Sequence, residues 1–541
     1  MIQESNEFRV IGSPGCGKTT FLSKEVTKAA QKYGSEAVMV TSLTRTAAAE
    51  VAGRDVPINP DRIGTLHAHA LRALGYPELA ETREHVEVWN KENPSYALTV
   101  PGGVSSKDDG FDSVGGSMAG DKHFAQVNMA RARKSPLDEL PATARRFNAT
   151  WTAWKEDLGV LDWTDLIDFA GRDSYQAPGM PKVMFVDEAQ DHDRLELDLV
   201  RKWGSAMRGV ERLVIVGDPD QNLYEWRGSD PEAFFDVDLP EENKLVLTQS
   251  YRLPHAVWAK AIDWIERIPG REPVEYWPTD EPGEVRKLAT SLRDPAGLLR
   301  DAQKYIDEGK SVMFLTACAY MIDPLKNEMR ALGIPFHNPY RARTDWNPLN
   351  PTARGTTTLD KFRAYIAPML ETEQYVNPWS VGDVQVWTQA LARVLKRNAR
   401  TRLDELDPMQ GFTVEMLEEY FDPKSDPVMA YNIEAGDPGW FQNHMKAGAN
   451  VDYAVKVLSK FGPEAINKTP QIQIGTVHSV KGGEADVVYL FPDVSRLGYQ
   501  SIQTPRGKAS TIRQFYVGMT RAKETLILAG ASSQTAIQLG S

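Results

Sequence analysis

Cysteine is nearly absent from this 541-residue chain. The two that occur, Cys16 and Cys318, form no Cys-x-x-Cys pair. That excludes a disulfide framework and a zinc finger, and it suits a reducing compartment. Long apolar runs are lacking too: none approaches the roughly 20 residues that span a bilayer. The opening MIQESNEFRVIG has no basic segment followed by an apolar one, so no signal peptide is expected. The expected location is the cytoplasm, of a bacterium or a virus-infected cell, with no membrane partner. Positive charge is in deficit, with 62 Lys and Arg against 74 Asp and Glu, a net charge of −12. Proteins that coat nucleic acid non-specifically are usually basic, so any such contact here must be confined to a local groove. No internal repeat, coiled coil or long charge block is visible. What remains is globular: 41% hydrophobic and 25% charged residues can build sizeable cores, and the length suggests three or four domains.

Two regions alternate short apolar runs with helical stretches, the pattern of parallel α/β domains. The first holds FRVIG (8–12), AVMVTS (37–42), VMFVDEA (183–189), RLVIVGD (212–218) and KLVLTQ (244–249). The second holds SVMFLTA (311–317), QIQIGTVH (471–478), VVYLF (487–491) and TLILAG (525–530). Each is interrupted. Residues 76–164 include a Gly-, Ser- and Asp-rich stretch (102–121) that reads as a mobile loop. Residues 341–470 are rich in Pro and Trp near their start and then read as helical over 385–407.

Gly12-Ser13-Pro14-Gly15-Cys16-Gly17-Lys18-Thr19 fits G-x-x-x-x-G-K-S/T, directly after an apolar strand and before a helical stretch from Thr20. In such a loop backbone N–H groups curl around phosphate oxygens, and the helix N-terminus adds its positive dipole end. Lys18 supplies a charge to the β- and γ-phosphates and Thr19 a hydroxyl for Mg²⁺. A chance glycine-rich turn would need neither strand nor helix. Cys16 reads as a small residue rather than a nucleophile.

A phosphate loop alone does not separate kinase, GTPase, transporter ATPase and motor. The second acidic motif does: Val183-Met184-Phe185-Val186 is a buried-strand pattern ending in Asp187-Glu188-Ala189-Gln190-Asp191. An acid at a strand's C-terminal end can hold Mg²⁺, and an adjacent Glu can polarise an attacking water. A solvated acidic turn would not explain the four apolar residues that lead into it.

Further blocks follow in order: Ser42-Leu43-Thr44-Arg45-Thr46-Ala47-Ala48-Ala49-Glu50, Gly64-Thr65-Leu66-His67, Asp162-Trp163-Thr164-Asp165-Leu166-Ile167, and Gly217 to Gly228 (GDPDQNLYEWRG). Gln249-Ser250-Tyr251-Arg252, Thr476 to Glu484 (TVHSVKGGE) and Tyr516 to Ala522 (YVGMTRA) complete the series. With these, the chain resembles the UvrD/Rep family of superfamily-one DNA helicases. The resemblance covers about 1–75, 160–255, 284–340 and 471–530, and the two insertions resemble the family only in position.

The resemblance implies an α/β fold of two RecA-like parallel-sheet P-loop cores, each carrying an inserted, mainly helical domain. The first core would be 1–75 with 165–250 and its insertion 76–164; the second would be 251–340 with 471–541 and its insertion 341–470. It implies ATP and Mg²⁺ as cofactors, with Thr19 and Asp187 as metal ligands and Lys18, Asp187, Glu188, Gln221, Arg252 and Arg521 as the catalytic set. Gln221 would sense the γ-phosphate or position the water, and Arg252 and Arg521 would donate to it as charge builds. Tyr251 would stack on adenine, Glu484 would accept from the ribose, and the base would lie near Thr20. Thr44, Thr65, His67, Arg227, Thr476 and His478 lie in motifs that resemble strand-contacting loops, and Tyr224 and Trp226 offer flat faces for bases. Trp226 read as core is the plainer alternative, and most of the thirteen tryptophans are expected to be core.

Three departures shape the expectations. Relatives have a Gln well upstream of the P-loop, and Gln3 is at the wrong distance; Thr20 stands where many have an Arg that helps sandwich the base. GTP is therefore expected to serve beside ATP. Leu43 stands where relatives often have an aromatic, and no nuclease or partner-docking domain is expected after TLILAG. The leading expectation is a helicase acting on single-stranded DNA and single-strand/duplex junctions, 3′-to-5′ by resemblance. The nearest alternative is a translocase that strips proteins from single strands without unwinding by itself. A DNA-binding scaffold with a decayed ATPase would not retain all six catalytic side chains, and a nucleotide kinase has no use for the second motif set.

Overall fold

The computed structural model describes residues 5–43, 53–54, 56–101, 118–172, 175–341, 345–349, 357–370, 379–392, 394–422, 433 and 436–540. Thr44 and the rest of its block through Glu50 lie outside the described residues, as do 102–117 of the Gly-, Ser- and Asp-rich stretch.

The apolar runs of the first region become strands β1 (Glu7–Gly12), β2 (Val38–Ser42), β4 (Val183–Val186), β5 (Arg212–Gly217) and β6 (Lys244–Leu247). A short β3 (Ile63–Thr65) completes a six-stranded sheet of order β3-β2-β4-β5-β1-β6. All its pairings are parallel. Every residue of β2 and β4 is buried, as expected where helices cover both faces of a parallel sheet and the strands read as unbroken apolar runs. The helix Lys18–Tyr33 lays Leu22, Val26, Ala29 and Ala30 against this sheet, one stripe at helical spacing. It starts two residues before the expected Thr20, because Gly17 takes a left-handed turn (φ 77°) that an L side chain rarely adopts.

This strand order has a functional consequence. Neighbours β4, β5 and β1 end at the same edge, and their C-terminal ends carry Asp187, Asp218 and Gly12 respectively. Ligands of open parallel sheets bind there.

The insertion after β3 is helical (Arg83–Glu92, Asp121–Ala132, Ala142–Leu158) around Trp89, Phe147, Trp151 and Trp154. Trp89 and Trp151 meet edge to face at 4.8 Å. Its last two helices are tied to the start of the helix Trp163–Ala170 by an ion cluster, with Lys155 Nζ 2.6 Å from Asp162 Oδ2 and Arg131 Nη2 2.6 Å from Asp165 Oδ1. Asp162 and Asp165 also form the capping box of the helix Trp163–Ala170, so the D-W-T-D-L-I block is at once a helix start and a clamp.

A second six-stranded sheet has the order β7-β14-β13-β8-β12-β9, from β7 (Glu284–Lys287), β8 (Val312–Thr316), β9 (Phe336–His337), β12 (Ile472–Thr476), β13 (Ala485–Leu490) and β14 (Ala522–Leu528). Two parallel-sheet α/β cores are thus present. The chain forms two compact units: Met1–Ser291 with Met313–Met321 and Gly475–Ser541, and Leu292–Val312 with Ile322–Ile474. The second holds a mainly helical cluster around Tyr365, Trp379, Trp387 and Trp440, with one antiparallel pair, β10 (Trp379–Ser380) and β11 (Gly411–Phe412). The continuous helix expected over 385–407 is not there. The chain is helical over Val381–Trp387, then bridges Leu391 to Met445 and Leu395 to Phe421 before a short helix Ala399–Asp404. Burial of Leu391 and Val394 among the aromatics, and a left-handed Asn398 (φ 59°), break the helical period. Nine of the thirteen tryptophans are buried, as expected of core residues. Among the described residues, no helix is long and apolar enough to cross a membrane.

Candidate active site

The loop after β1 turns through two left-handed glycines, Gly15 (φ 75°) and Gly17 (φ 77°). A Cβ on Gly15 would stand 2.5 Å from Arg252 Cβ, whereas one on Gly17 would meet nothing within 4 Å. The loop is therefore packed on one side and open on the other. Lys18 folds back so that Nζ donates to Gly12 O at 2.7 Å. The buried Ser13 hydroxyl has no hydrogen-bond partner. A buried unpartnered hydroxyl beside a loop of backbone N–H groups and a lysine fits an oxygen-rich anion. Burial pushes the Cys16 thiol up to about 12, so it stays protonated and unreactive.

Asp187 follows β4, its backbone N–H donating to Thr41 O at 2.9 Å. Glu188 takes left-handed angles (φ 51°, ψ 41°), uncommon for a non-glycine residue and a form of strain that gathers at functional sites. Burial would raise the Glu188 carboxyl, but Lys481 and Lys18 outweigh it and hold the group down at about 2. Glu188 is thus an anion throughout the neutral range. The Thr19 hydroxyl and the Asp187 carboxylate are hard oxygen donors, and Mg²⁺ commonly takes one or two such protein ligands beside phosphate and water. The pair fits that ion.

Gln221 ends the turn after β5, where its Nε2 donates to Asp218 Oδ2 at 2.6 Å. Its Oε1 accepts from Arg521 Nη2 at 2.9 Å across 300 residues of sequence. Arg521 is 1% exposed. Arg252 Nε lies 2.7 Å from Glu484 Oε2, so the arginine expected at phosphate and the glutamate expected at ribose are paired with each other. Tyr251 donates its backbone N–H to Gly15 O at 2.9 Å while its ring is 77% exposed beside the loop. Thr20 Oγ1 accepts from Arg54 Nη1 at 3.0 Å.

The strand candidates form a second group. Thr65 caps the helix Leu66–Ala73, its Oγ1 accepting from Ala68 N. His67 Nδ1 is 3.6 Å and Arg227 Nη2 3.4 Å from Glu196 Oε1. Burial lowers the His67 imidazole to about 4 against the pull of Glu196, so it is neutral at neutral pH. Tyr224 and His478 meet edge to face at 6.2 Å, and His478 Nε2 is 3.1 Å from Leu223 O. Trp226 is half-buried, not core; its Nε1–H is buried without a partner. With Leu223, His478, Ser510, Thr511 and Gln514 it lines a cavity of about 60 Å³. Thr476 is fully buried and its hydroxyl accepts from Ser479 N at 3.1 Å, closing the turn after β12.

Sequence reasoning missed several groups that the fold brings here. Lys481 Nζ bonds to Asp191, lies 3.5 Å from Glu188, and donates to Gln221 O at 3.0 Å. Its place in T-x-H-x-x-K was the available signal. Gln190 joins the two acidic motifs, donating to Glu188 and accepting from Asp218 N at 2.9 Å. Glu225 receives Arg513 at 2.7 Å and Arg506 at 3.3 Å, and Glu196 joins His67 to Arg227. Neither glutamate had any signal beyond lying in or near a motif.

Two family models match the chain. A model of the AAA domain matches residues 1–227, and a model of the UvrD-like helicase C-terminal domain matches 453–533. ATP-dependent DNA helicase UvrD1 of Mycobacterium leprae is 23% identical over 386 residues, 63% of this chain and 48% of the relative. UvrD1 of Mycobacterium bovis is 24% identical over 355 residues, 58% and 44% of the two chains. ATP-dependent DNA helicase PcrA of Staphylococcus aureus is 33% identical over 130 residues, 23% and 17% of the two. The alignments take in about half the length of the mycobacterial relatives and about a sixth of the staphylococcal one. With both family models present, and with the P-loop, the acidic motif and the Asp218–Gln221 turn at neighbouring strand ends of one sheet, the chain belongs to the UvrD/Rep family of superfamily-one helicases.

Proposed function

We propose that this protein hydrolyses ATP to move along single-stranded DNA and separate duplex, travelling 3′-to-5′ and engaging single-strand/duplex junctions. The observation that carries the reading is the bond from Arg521, near the chain's end, to Gln221 at the edge that holds the P-loop. A nucleotide at that edge would be met from both sides, and its turnover would be read by both.

The P-loop from Gly12 to Thr19 binds the phosphates, with Lys18 leaving Gly12 O for a phosphate oxygen. Glu188, anionic and held by Lys481 and Gln190, accepts the proton of the attacking water. Gln221 orients that water, and Arg521 and Arg252 donate as charge builds on the transferred group. Thr19 and Asp187 would hold Mg²⁺, which would supply charge neutralisation to the phosphates. Arg252 meets Glu484 through Nε, leaving its Nη groups to donate to phosphate, and Glu484 would have to part from it to accept from the ribose; Tyr251 offers the base a ring face. The strand is gripped by His67, Tyr224, Trp226, Arg227 and His478, next to the Glu225 and Lys481 contacts, so closure on nucleotide and hold on DNA share the same segments. We assign 1–75 with 165–250 and 251–340 with 471–541 to the two cores, and 76–164 and 341–470 to their insertions.

The test is strand displacement on duplexes with a 3′ or a 5′ single-stranded tail, beside a translocation assay on single strands. Unwinding of the 3′-tailed duplex alone is the expected result. Translocation without displacement would make the protein a strand-clearing motor, and preference for the 5′ tail would reverse the polarity.

A further inference from the structure

Gln221 is placed by a turn that has an unassigned anchor. The turn Pro219–Gln221 is capped by Asp218, whose Oδ1 accepts from Asp220 N at 3.1 Å and whose Oδ2 accepts from Gln221 Nε2 at 2.6 Å. Asp220, between them, faces away from these bonds and meets Arg271. Arg271 Nε reaches Asp220 Oδ1 at 2.7 Å and Nη2 reaches Oδ2 at 2.7 Å, a two-pronged pair with side chains 8% and 4% exposed. Arg271 lies between the helix His255–Ile265 and β7, in a segment none of the motif blocks covers.

We infer that Arg271 is a positioning residue for ATP hydrolysis, holding the Asp218–Gln221 turn so that Gln221 meets Arg521. The inference rests on the ATPase reading above and adds to it the group that fixes its glutamine. The physical case is electrostatic. Asp218 and Asp220 are both buried, at 0% and 3% exposure, two residues apart. Two close carboxylates in a poorly solvated site repel, and an unpaired buried charge is costly. Arg271 pairs with Asp220 through two bonds, and Lys18 opposes the upward push of burial and of Asp220 on the Asp218 carboxyl. A guanidinium fork fixes the carboxylate plane as well as its charge, which a lysine cannot do. The same segment reaches the far side of the site: Tyr276 and Tyr516 join hydroxyls at 3.1 Å, and Tyr516 belongs to the helix Pro505–Met519 that packs on the turn and leads to Arg521. The segment that carries Arg271 and Tyr276 therefore touches both the turn bearing Gln221 and the helix that leads to Arg521.

The experiment compares Arg271→Gln, Arg271→Lys, Asp220→Asn and the double Arg271→Gln/Asp220→Asn in the full chain. Steady-state ATPase is read with and without oligo-dT, beside binding of a fluorescent ATP analogue and thermal melting. Arg271→Gln is expected to lower stimulated kcat by about tenfold or more with KM and analogue affinity little changed, the signature of an interaction that matters in the transition state. Arg271→Lys should fall between it and wild type. The double variant should lose no more than Arg271→Gln alone, since partners acting as a unit are not additive. Wild-type kcat in a folded Arg271→Gln, or additive losses in the double, overturns the inference. Should Arg271→Gln fail to fold, the lysine and Asp220→Asn variants decide by the same split of kcat from KM. Absence of ATP turnover in the wild-type protein would instead remove the ATPase reading itself.

Discussion

Replacing Arg521 with lysine keeps a cation in the site and removes the fork. In the structure Nη2 donates to Gln221 Oε1 at 2.9 Å, Nη1 to Gly483 O at 3.2 Å and Nε to Val517 O at 2.9 Å, all buried. A single ammonium cannot serve all three. Val517 O keeps the Thr520 hydroxyl as a donor at 3.0 Å, so Gly483 O is the acceptor at greatest risk. A buried acceptor left unsatisfied costs about 1–3 kcal/mol. In a domain of this kind that lowers Tm by only several degrees. The catalytic loss should be larger. An arginine that donates to developing phosphoryl charge is worth about 10³–10⁵ in kcat, or about 4–7 kcal/mol, and lysine should recover only part. Arg521→Lys is therefore expected to bind nucleotide within a few-fold of wild type while losing about 100-fold or more of DNA-stimulated kcat. Fluorescent-nucleotide titration and a coupled ATPase assay with saturating oligo-dT, both well below Tm, separate the two effects. Full stimulated turnover would place Arg521 outside the chemistry, and loss of binding in step with turnover would make its role structural.

Other outcomes follow from single groups. Trp226→Ala should weaken single-strand binding by about 1–3 kcal/mol, the range of one base–aromatic stack, with basal ATPase little changed; equal loss of both with a lower Tm would make the ring structural. Burial raises Asp218 to about 6, with Asp220 adding and Lys18 opposing, while Tyr276, Tyr516 and Cys16 facing it stay neutral. Protonation below about 6 removes an acceptor for Gln221, so ATPase should fall through that pH although Glu188 stays ionised, and Asp218→Asn should abolish this limb. The stability sign is opposite. A folded pKa above the unfolded value means the folded state binds the proton more readily, so the Asp218 contribution to stability rises as pH falls from about 6 to about 4. Relative to Asp218→Asn, the wild-type protein should therefore gain thermal stability as pH falls across this window; a melt series in which the difference between the two stays flat or moves the other way would contradict the assignment. GTP should support turnover within about tenfold of ATP, since the open Tyr251 ring is a face any purine satisfies; undetectable GTP hydrolysis would mean that another group reads adenine.

The interior of both sheets was legible because parallel strands covered on two faces must be continuous apolar runs, as in Val183–Val186. The edges were not. Glu284–Lys287 has no fully buried residue, Ile63–Thr65 is three residues long and Phe336–His337 two, so none carries a usable period. Residues 385–407 misled because Trp387, Leu391, Val394 and Leu403 all face an aromatic cluster, and a helix-like spacing was produced by a chain that turns. The site's first-sheet half was legible since motif residues there sit at consecutive strand ends. Which group meets which was not: Lys481 on Asp191, Arg252 on Glu484 and Arg271 on Asp220 join residues far apart in the chain, and only the fold sets those pairings.

The central claim is that one site couples ATP hydrolysis to single-stranded DNA. Its most direct test is the ATPase rate of the full chain with and without a single-stranded oligonucleotide, beside Lys18→Ala on the same preparation scale. The account predicts hydrolysis that rises when the strand is added and is abolished by Lys18→Ala in a folded protein. Turnover indifferent to the strand, or undiminished in the variant, would contradict it.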